Sequence, residues 1–428
     1  MDQFVHSVTL EKRLCNGCTN CIKRCPTQAI RVREGKAVIE AERCIDCGEC
    51  IRLCPHRAKR AVSDPLALLG HFEYRVAIVP PSLYVQYNHQ KNQDMVLDAL
   101  CRAGFDDVFE EAEASELISD ATSRIMATGG AARPVISSAC PAVTRLIRVR
   151  FPELIDHMLP LVPPMELAAR MAKKKAAEKN GLPEEKIGCI AIVPCPAKVT
   201  MRRAPVGSSR SALDGAVSVT EIYPKLLALL DGSRTPPHRA TAGAAGLAWA
   251  SSGGEALGLS GVENHLVADG MESIIRVLED LEDEKYDQID FVELRACPGG
   301  CLGGSLQLEN PYIARTKLKR MQRTAAGAVN RLSGGVPTEM LWDTDLTYAP
   351  VLELGATRVE RFERYNRMQT ILKTLPGLDC GACGAPSCEA LAEDVVRGAA
   401  QVSDCVLLRC RQLEARLKAR ERKGGAGE

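Results

Sequence analysis

Eight cysteines near the N-terminus repeat one spacing twice. The pattern CxxCxxCxxxCP covers residues 15–26 and returns over residues 44–55. Thiolates at this spacing hold [4Fe-4S] clusters: the first three of each run bind one cube, and the fourth crosses over to the other cube. The sequence therefore predicts two clusters and one-electron chemistry. The eight predicted ligands are Cys15, Cys18, Cys21, Cys25, Cys44, Cys47, Cys50 and Cys54.

Zinc is the alternative for these runs, because CxxC pairs also build tetrahedral zinc sites from two separated loops. Here four thiolates fall within eleven residues, and both runs end in proline. This density favours iron-sulfur clusters over zinc, and the spacing is that of bacterial ferredoxins.

A second set of cysteines follows apolar runs in the middle of the chain. Residues 135–141, 190–196 and 291–298 each read as an extended apolar stretch, a short loop and then Cys-Pro. Ligands of open α/β sheets bind beyond the carboxyl ends of the strands, so four thiolates can converge there and hold a third cube. A single buried cysteine is more often a packing residue, but the set favours ligands. The four are Cys140, Cys195, Cys297 and Cys301.

The segments SSACP, VPCPAK and RACPGGCLGG resemble the three active-site signatures of [FeFe]-hydrogenases, in the same order. The resemblance covers about residues 10–320. It implies an H-cluster: a [4Fe-4S] cube on the four loop cysteines, bonded through Cys301 to a two-iron centre. That centre carries CO, cyanide and an azadithiolate bridge, and maturases insert it. The resemblance also implies that Lys198 pairs with an iron-bound cyanide, whereas the alternative is a surface lysine.

The proton path departs from the family pattern. The first signature usually has two adjacent cysteines, the first being the proton donor, but this chain has Ala139 there. A methyl group cannot relay a proton, and a positioned acid or base contributes about 10²–10⁴-fold. Glu113 and Glu116 match the outer carboxylates of the family's proton path. The alternative is a solvated acidic helix face beside Glu110 and Glu111.

Two further positions near the two-iron centre differ. Val193 and Arg295 stand where the family has methionines. A positive charge near a cluster favours its reduced form, so Arg295 predicts a raised reduction potential. Members with such losses resemble the sensory branch. We therefore predict a low-turnover hydrogenase that acts in H2 sensing or redox signalling by biasing a partner's conformation.

The competing interpretation belongs to another class of protein. It is a non-catalytic electron carrier or cluster-assembly protein whose middle domain holds only a cube. Lys198 argues against it, because a lone cube needs no lysine partner for cyanide. Those assembly proteins also commonly lack the complete double ferredoxin pattern.

Four cysteines near the C-terminus form another candidate site. The segment LDCGACGAPSC is similar to the iron-sulfur domain of Rnf-type electron-transport subunits, which implies a further [4Fe-4S] cluster. A zinc knuckle is the alternative, and Cys410 is an alternative fourth ligand. Cys101 and Cys189 fit helix and strand packing. The four predicted ligands are Cys380, Cys383, Cys388 and Cys405.

The order of elements predicts three domains. From residue 75 onward, apolar β-rich runs alternate with helical stretches, which indicates an α/β fold with a largely parallel sheet. The domains are an α+β two-cluster ferredoxin (1–70), an α/β hydrogenase catalytic domain with two lobes around a buried cluster (71–350) and a small helical iron-sulfur domain (351–428). Strands are expected at 76–79, 187–193 and 291–294, and helices at 92–102 and 164–180.

Composition limits the partners. Lys and Arg number 55 against 54 Asp and Glu, which gives no electrostatic case for nucleic acid. No apolar run approaches the length of a membrane span, and the first residues are charged rather than apolar. Nineteen cysteines without an export signal favour a reducing compartment. We therefore predict a cytoplasmic protein that binds neither nucleic acid nor a membrane.

The expected partners follow from the implied chemistry. They are H2 and protons, a redox protein such as ferredoxin, a signalling protein and the H-cluster maturases. The last helix carries many basic residues around an apolar stripe, so it is a candidate surface for the signalling protein or for a second copy in a homodimer.

Overall fold

The computed structural model describes residues 6–88, 92–129, 131–230, 235–286, 288–325 and 330–424. Within these ranges the chain forms two compact units. The first comprises residues 6–8, 45–48 and 61–349, and the second comprises residues 9–44, 49–60 and 350–424. The second unit thus contains the C-terminal cysteine segment and the N-terminal one except residues 45–48, which include Cys47.

Eleven strands lie in the described part of the chain. They are β1 (Val8–Leu10), β2 (Ile30–Arg33), β3 (Lys36–Ile39), β4 (Lys59–Ala61), β5 (Tyr74–Val79), β6 (Asp107–Glu110), β7 (Val135–Ile136), β8 (Ile187–Val193), β9 (Gly215–Ser218), β10 (His265–Asp269) and β11 (Phe291–Arg295).

The α-helices in the same residues number fourteen. They are α1 (Asn20–Lys23), α2 (Glu49–Arg52), α3 (Gln93–Arg102), α4 (Glu111–Ala127), α5 (Pro141–Arg150), α6 (Pro164–Asn180), α7 (Pro196–Arg203), α8 (Val219–Leu229), α9 (Ala244–Ala248), α10 (Met271–Glu282), α11 (Pro311–Thr324), α12 (Arg358–Thr374), α13 (Cys388–Val396) and α14 (Val406–Gly424).

Two parallel sheets organise the first unit. One has the strand order β6-β5-β8-β9 and the other the order β10-β11-β7, and every pairing within them is parallel. All seven residues of β8, with the sequence IGCIAIV, are buried. A continuous apolar run of this kind is typical of a central strand covered on both faces. The predicted parallel α/β fold and its three predicted strands are confirmed.

Helices α3 and α6 show how local sequence sets their ends. The side chain of Asn92 caps α3 by accepting a hydrogen bond from the backbone N–H of Met95. Helix α6 begins at Pro164 and ends before Gly181, which has a φ of +64° and forms a left-handed C-cap. Leu167 and Ala168 of α6 are buried in the core of the unit. Both predicted helices are confirmed to within one residue.

The second unit combines short strands with helices. Strand β1 pairs with β4, and β2 forms an antiparallel hairpin with β3. The C-terminal part is helical, as predicted, and its core contains Met368, Leu375, Leu391 and Val396. Among the described residues of the chain, no helix has the length and apolar character that crossing a membrane requires.

Candidate metal centre

Two of the middle cysteines stand directly before a helix. Cys140 and Cys195 occupy the N-cap positions of α5 and α7, and Pro141 and Pro196 are the first helical residues. Proline suits this position because the first helical N–H groups have no partner within the helix. The positive end of the helix dipole also favours a thiolate nearby. Each Cys-Pro pair therefore places a thiol where a helix starts, shortly after a strand.

The third loop bends through glycine instead. It follows β11 and carries both Cys297 and Cys301. Between them, Gly300 has a φ of +80°, and a Cβ there would lie 2.6 Å from the backbone nitrogen of Ser252. Only glycine fits this close approach without displacing the neighbouring chain. The tight bend directs the two cysteines of the loop towards one pocket.

All four of these cysteines line one pocket of about 410 Å³, here called the thiol pocket. Burial raises the pKa of Cys195 to about 12 and also raises the pKa of Cys301. A buried pocket that weakens the acidity of its thiols fits a polynuclear iron group, because the metal supplies the positive charge that stabilises thiolates. Three separate loops thus assemble a donor set suited to a [4Fe-4S] cube.

A second pocket of about 330 Å³, here called the lysine pocket, shares part of this wall. Ala139, Lys198, Arg295 and Cys301 line both pockets. The shared position of Cys301 is suited to a thiolate that bridges two metal groups. The two pockets therefore adjoin at these four residues.

Lys198 is a buried cation in this wall. Only 6% of the residue is exposed, so the surface-lysine alternative is wrong. Its Nζ donates a hydrogen bond to Oε1 of Glu111 at 2.5 Å. Burial disfavours the ammonium form, but the charge of Glu111 and its hydrogen bond outweigh burial and raise the pKa of Lys198 above its ordinary value. The residue is therefore protonated in the pocket.

Glu111 was not identified from the sequence. It is the first residue of α4, lines the lysine pocket and is 6% exposed. In the sequence, Glu111 belongs to a cluster of acidic residues at the start of α4. That pattern does not show which of the carboxylates is buried.

Ala139 and the two predicted carboxylates of the proton path occupy different places. Ala139 is buried and lines both pockets. The carboxylate of Glu116 accepts hydrogen bonds from Gly246 and Asn330, and Glu113 accepts one from Thr241 at 2.9 Å. Neither glutamate is among the described residues that line the thiol pocket or the lysine pocket.

The alternative of a solvent-exposed acidic face at the start of α4 is wrong for three of its four glutamates. Glu110, Glu111 and Glu116 are all buried. Their carboxylates accept hydrogen bonds from side chains within the first unit. The role of Glu113 and Glu116 in a proton path stays a prediction.

Arg295 is paired with carboxylates. Its Nε donates to Glu293 at 3.0 Å and its Nη2 to Glu255 at 2.9 Å. Its guanidinium carbon also lies 5.4 Å from the ring centroid of Trp249. The sequence predicted a raised potential from a positive charge here, and the structure adds that Arg295 is paired with two buried acidic side chains. The raised potential stays a prediction.

Glu255 is a further buried acid that the sequence did not reveal. Burial raises its pKa to about 7, although the charge of Arg295 opposes the shift. Its carboxylate also accepts hydrogen bonds from Ser137 Oγ at 2.8 and 2.7 Å. Both of its partners precede a loop cysteine by two or three residues.

The N-terminal cysteines form a crossed arrangement in the second unit. The first three cysteines of the first run share a pocket of about 340 Å³, here called the crossover pocket, with the last cysteine of the second run. Burial, with Cys25 close by, raises the pKa of Cys50 to about 12. This grouping fits the ligand exchange that the spacing predicts. The crossover pocket is lined by Cys15, Cys18, Cys21 and Cys54.

In the first unit, Cys47 lines the thiol pocket. Asp46 beside it has a φ of +55°, and its carboxylate accepts hydrogen bonds from the backbone N–H groups of Ser7 and Val8, each at 3.0 Å. Thr200 Oγ1 donates a further bond at 2.7 Å. These bonds hold Cys47 at the wall of the pocket.

Near the C-terminus, three cysteines share the small helical core. Cys405 is buried in that core, and Cys383 and Cys388 pack against it. Burial raises the pKa of Cys383, and the charges of nearby Cys405 and Cys380 add to the shift. Cys410 on α14 is exposed. The geometry thus favours Cys405 over Cys410 as the fourth member of the set.

The unassigned cysteines are Cys101, which is half-buried on α3, and Cys189, which is buried in β8. Burial raises the pKa of both thiols, to about 12 for Cys189.

Three family models match the chain. The iron only hydrogenase large subunit, C-terminal domain, matches residues 73–228 and 248–305. A 4Fe-4S dicluster domain matches residues 7–55, and an Fe-S cluster family matches residues 375–407.

Two curated relatives are similar over parts of their length. The NADP-reducing hydrogenase subunit HndD of Solidesulfovibrio fructosivorans is 26% identical over 264 residues, which are 50% of this chain and 45% of that protein. An Rnf-type protein, one of the subunits of the Na⁺-translocating ferredoxin:NAD⁺ oxidoreductase complex of Acetobacterium woodii, is 36% identical over 70 residues. The match covers 16% of this chain and 21% of that protein. The chain thus spans less than half of either relative.

The fold is shared with a solved structure. A variant of the [FeFe]-hydrogenase HydA1 of Chlamydomonas reinhardtii superposes with a TM-score of 0.52 at 16% identity. The match covers 67% of this chain and 98% of the other. The hydrogenase model accounts for half of the sequence, including all three Cys-Pro loops. This chain, with its iron-sulfur segments on either side, belongs to the iron-only hydrogenase large-subunit family.

Proposed function

We propose that this protein catalyses the reversible reaction 2H⁺ + 2e⁻ ⇌ H2 at low turnover and acts in H2 sensing or redox signalling. The observation that carries the proposal is the pair of adjoining pockets. One is lined by four cysteines, and the other contains Lys198 and Glu111. A pocket for a lone cube would not require the second chamber with its buried ion pair.

The residues of the two pockets would contribute to H-cluster binding in different ways. Cys140, Cys195, Cys297 and Cys301 would hold it. Lys198 presents a positive charge and N–H donors to an anionic ligand, and Glu111 keeps that ammonium charged and oriented. When bound, the H-cluster supplies the iron centre at which H2 forms or splits and the cube that passes electrons.

Low turnover follows from Ala139. Its side chain lines both pockets but cannot accept or donate a proton. A positioned acid or base contributes about 10²–10⁴-fold to such a transfer, so its loss slows the chemical step without removing metal ligands. We further propose that Glu113 and Glu116 serve the outer part of the proton path.

The remaining cysteine sets supply the electron path. We propose two [4Fe-4S] clusters on the N-terminal runs and a third on the C-terminal set. The names of the relatives, one NADP-reducing and one part of a ferredoxin:NAD⁺ oxidoreductase complex, support a soluble electron carrier such as ferredoxin as the redox partner. A signalling protein would read the redox state, and maturases would insert the two-iron centre.

Infrared spectroscopy tests the proposal directly. The full chain is coexpressed with the maturases and purified without oxygen, alongside a Cys301→Ser variant. The wild type is expected to show bands of metal-bound CO and cyanide, and the variant to lose them. A wild type that contains iron but shows no such bands would contradict the hydrogenase assignment and leave an electron carrier.

A further inference from the structure

Two cysteine loops lie against each other in the second unit. Gly381 lies in the loop that leads to Cys383, and a Cβ on Gly381 would lie 3.5 Å from Cδ1 of Ile22. Ile22 directly follows Cys21, which lines the crossover pocket. The C-terminal cysteine loop thus lies close beside α1, since the same Cβ would lie 2.9 Å from Cε of Lys23.

A backbone hydrogen bond joins the same two places. Val32 on β2 lines the crossover pocket, and its N–H donates to the carbonyl oxygen of Gly384 at 2.8 Å. Gly384 directly follows Cys383 and has a φ of +83°. A Cβ on Gly384 would lie 2.0 Å from the carbonyl oxygen of Val32, so this approach requires glycine. The connection from Cys383 to the pocket wall is one residue and one hydrogen bond long.

Buried ion pairs hold α13 on the β2–β3 hairpin and the segment after it. Asp394 accepts hydrogen bonds from Arg31 at 2.7 and 3.0 Å and from Arg33 at 2.5 Å. The side chains of Arg31 and Asp394 are 4% and 5% exposed. Glu393 pairs with Arg43 in the same way. Two-pronged pairs of this kind fix orientation as well as contact, so they set where the C-terminal cysteines lie.

We propose that the C-terminal cysteine set and the crossover pocket form one electron-transfer pair, whose separation is fixed by Gly384 and by the ion pairs of Glu393 and Asp394. This proposal rests on the proposed function, because both sites must hold [4Fe-4S] clusters. The exchange moves one electron, so one cluster is oxidised while the other is reduced, and no bond or proton moves. Cys380 is exposed, so this end of the path reaches solvent.

Electron paramagnetic resonance of the full, anaerobically reduced chain tests the pair. Gly384→Ala is the test variant, and Gly377→Ala is its matched control, since Gly377 has a φ of +69° and open space where a Cβ would lie. The two reduced N-terminal clusters also couple with each other, so the relevant signal is the part of the magnetic splitting that Cys383→Ser removes. Wild type and control are expected to show this part. Gly384→Ala is expected to lose that splitting while iron per chain stays constant.

Asp394→Asn provides a second route, because it weakens the ion pairs without altering the cysteine loop. Its expected result is the same loss of splitting. The electron-transfer pair is overturned, while the hydrogenase assignment stands, if Cys383→Ser removes no splitting from fully loaded protein, or if Gly384→Ala and Asp394→Asn both keep the part that Cys383→Ser removes. Iron per chain that is unchanged in Cys383→Ser also overturns it, by showing that the C-terminal set holds no cluster. Infrared bands report on the hydrogenase assignment separately.

Discussion

Nζ of Lys198 lies 2.5 Å from Oε1 of Glu111, and both residues are buried beside the thiol pocket. The pair joins the start of α7, just beyond β8, to the start of α4, just beyond β6. Each charge therefore depends on the other for its burial, whether or not the pocket is loaded.

Replacing Glu111 by Gln is expected to destabilise the apoprotein. The change leaves the Lys198 ammonium without its counter-charge, and breaking a buried pair from one side costs about 3–5 kcal/mol. Urea unfolding under reducing conditions measures this loss. The exposed Glu363→Gln is the control and should change the free energy of unfolding little. Equal stabilities of the two variants would show that the pair is not formed in solution.

Replacing Ala139 by Cys is expected to raise H2 turnover by up to about 10²–10⁴-fold, since a thiol at the shared wall supplies the missing proton carrier. The assay compares matured protein at equal H-cluster content, judged from the infrared bands. Ala139→Val controls for added bulk and should not raise the rate. A cysteine variant with unchanged turnover would place the slow step elsewhere.

The sequence predicted which cysteines line the pockets better than it predicted which charged side chains lie beside them. Cysteines at fixed spacing, and strands such as β8 with its unbroken apolar run, leave strong local signals. Buried carboxylates leave no such local signal. Glu111 and Glu255 are identified only from the packing of α4 and of the segment before Ala256 against the Cys-Pro loops. Arg295 shows the same limit, because its two counter-charges come from neighbouring and distant positions in the chain.

The crossed ligation of the N-terminal clusters predicts a specific pattern of iron loss. The double variant Cys18→Ser/Cys54→Ser removes two ligands of the same cluster, so about four iron atoms per chain should be lost. The double variant Cys18→Ser/Cys25→Ser removes one ligand from each cluster, so about eight iron atoms per chain should be lost. Iron and sulfide analysis of the two double variants measures this. The reverse pattern would show that each run binds its own cluster.

Glu255 predicts a pH dependence of stability. Burial raises its folded-state pKa to about 7, above the ordinary value of 4.5, so the folded protein binds this proton more tightly than the unfolded chain does. Unfolding therefore releases a proton between these values, and stability falls as pH rises from about 4.5 to about 7. The contribution is on the order of 3 kcal/mol across that range.

The comparison of wild type with Glu255→Gln isolates this contribution, because other titrating groups are common to both. Chemical unfolding of the apoprotein at pH 5, 6 and 7 gives the difference in free energy at each pH. The amide of Gln does not titrate in this range, so the free energy of unfolding of the variant should fall less with pH. The stability of the variant relative to wild type should therefore increase as pH rises. A difference that stays constant over this range would mean that Arg295 holds the Glu255 carboxylate ionised throughout, with its pKa below the range.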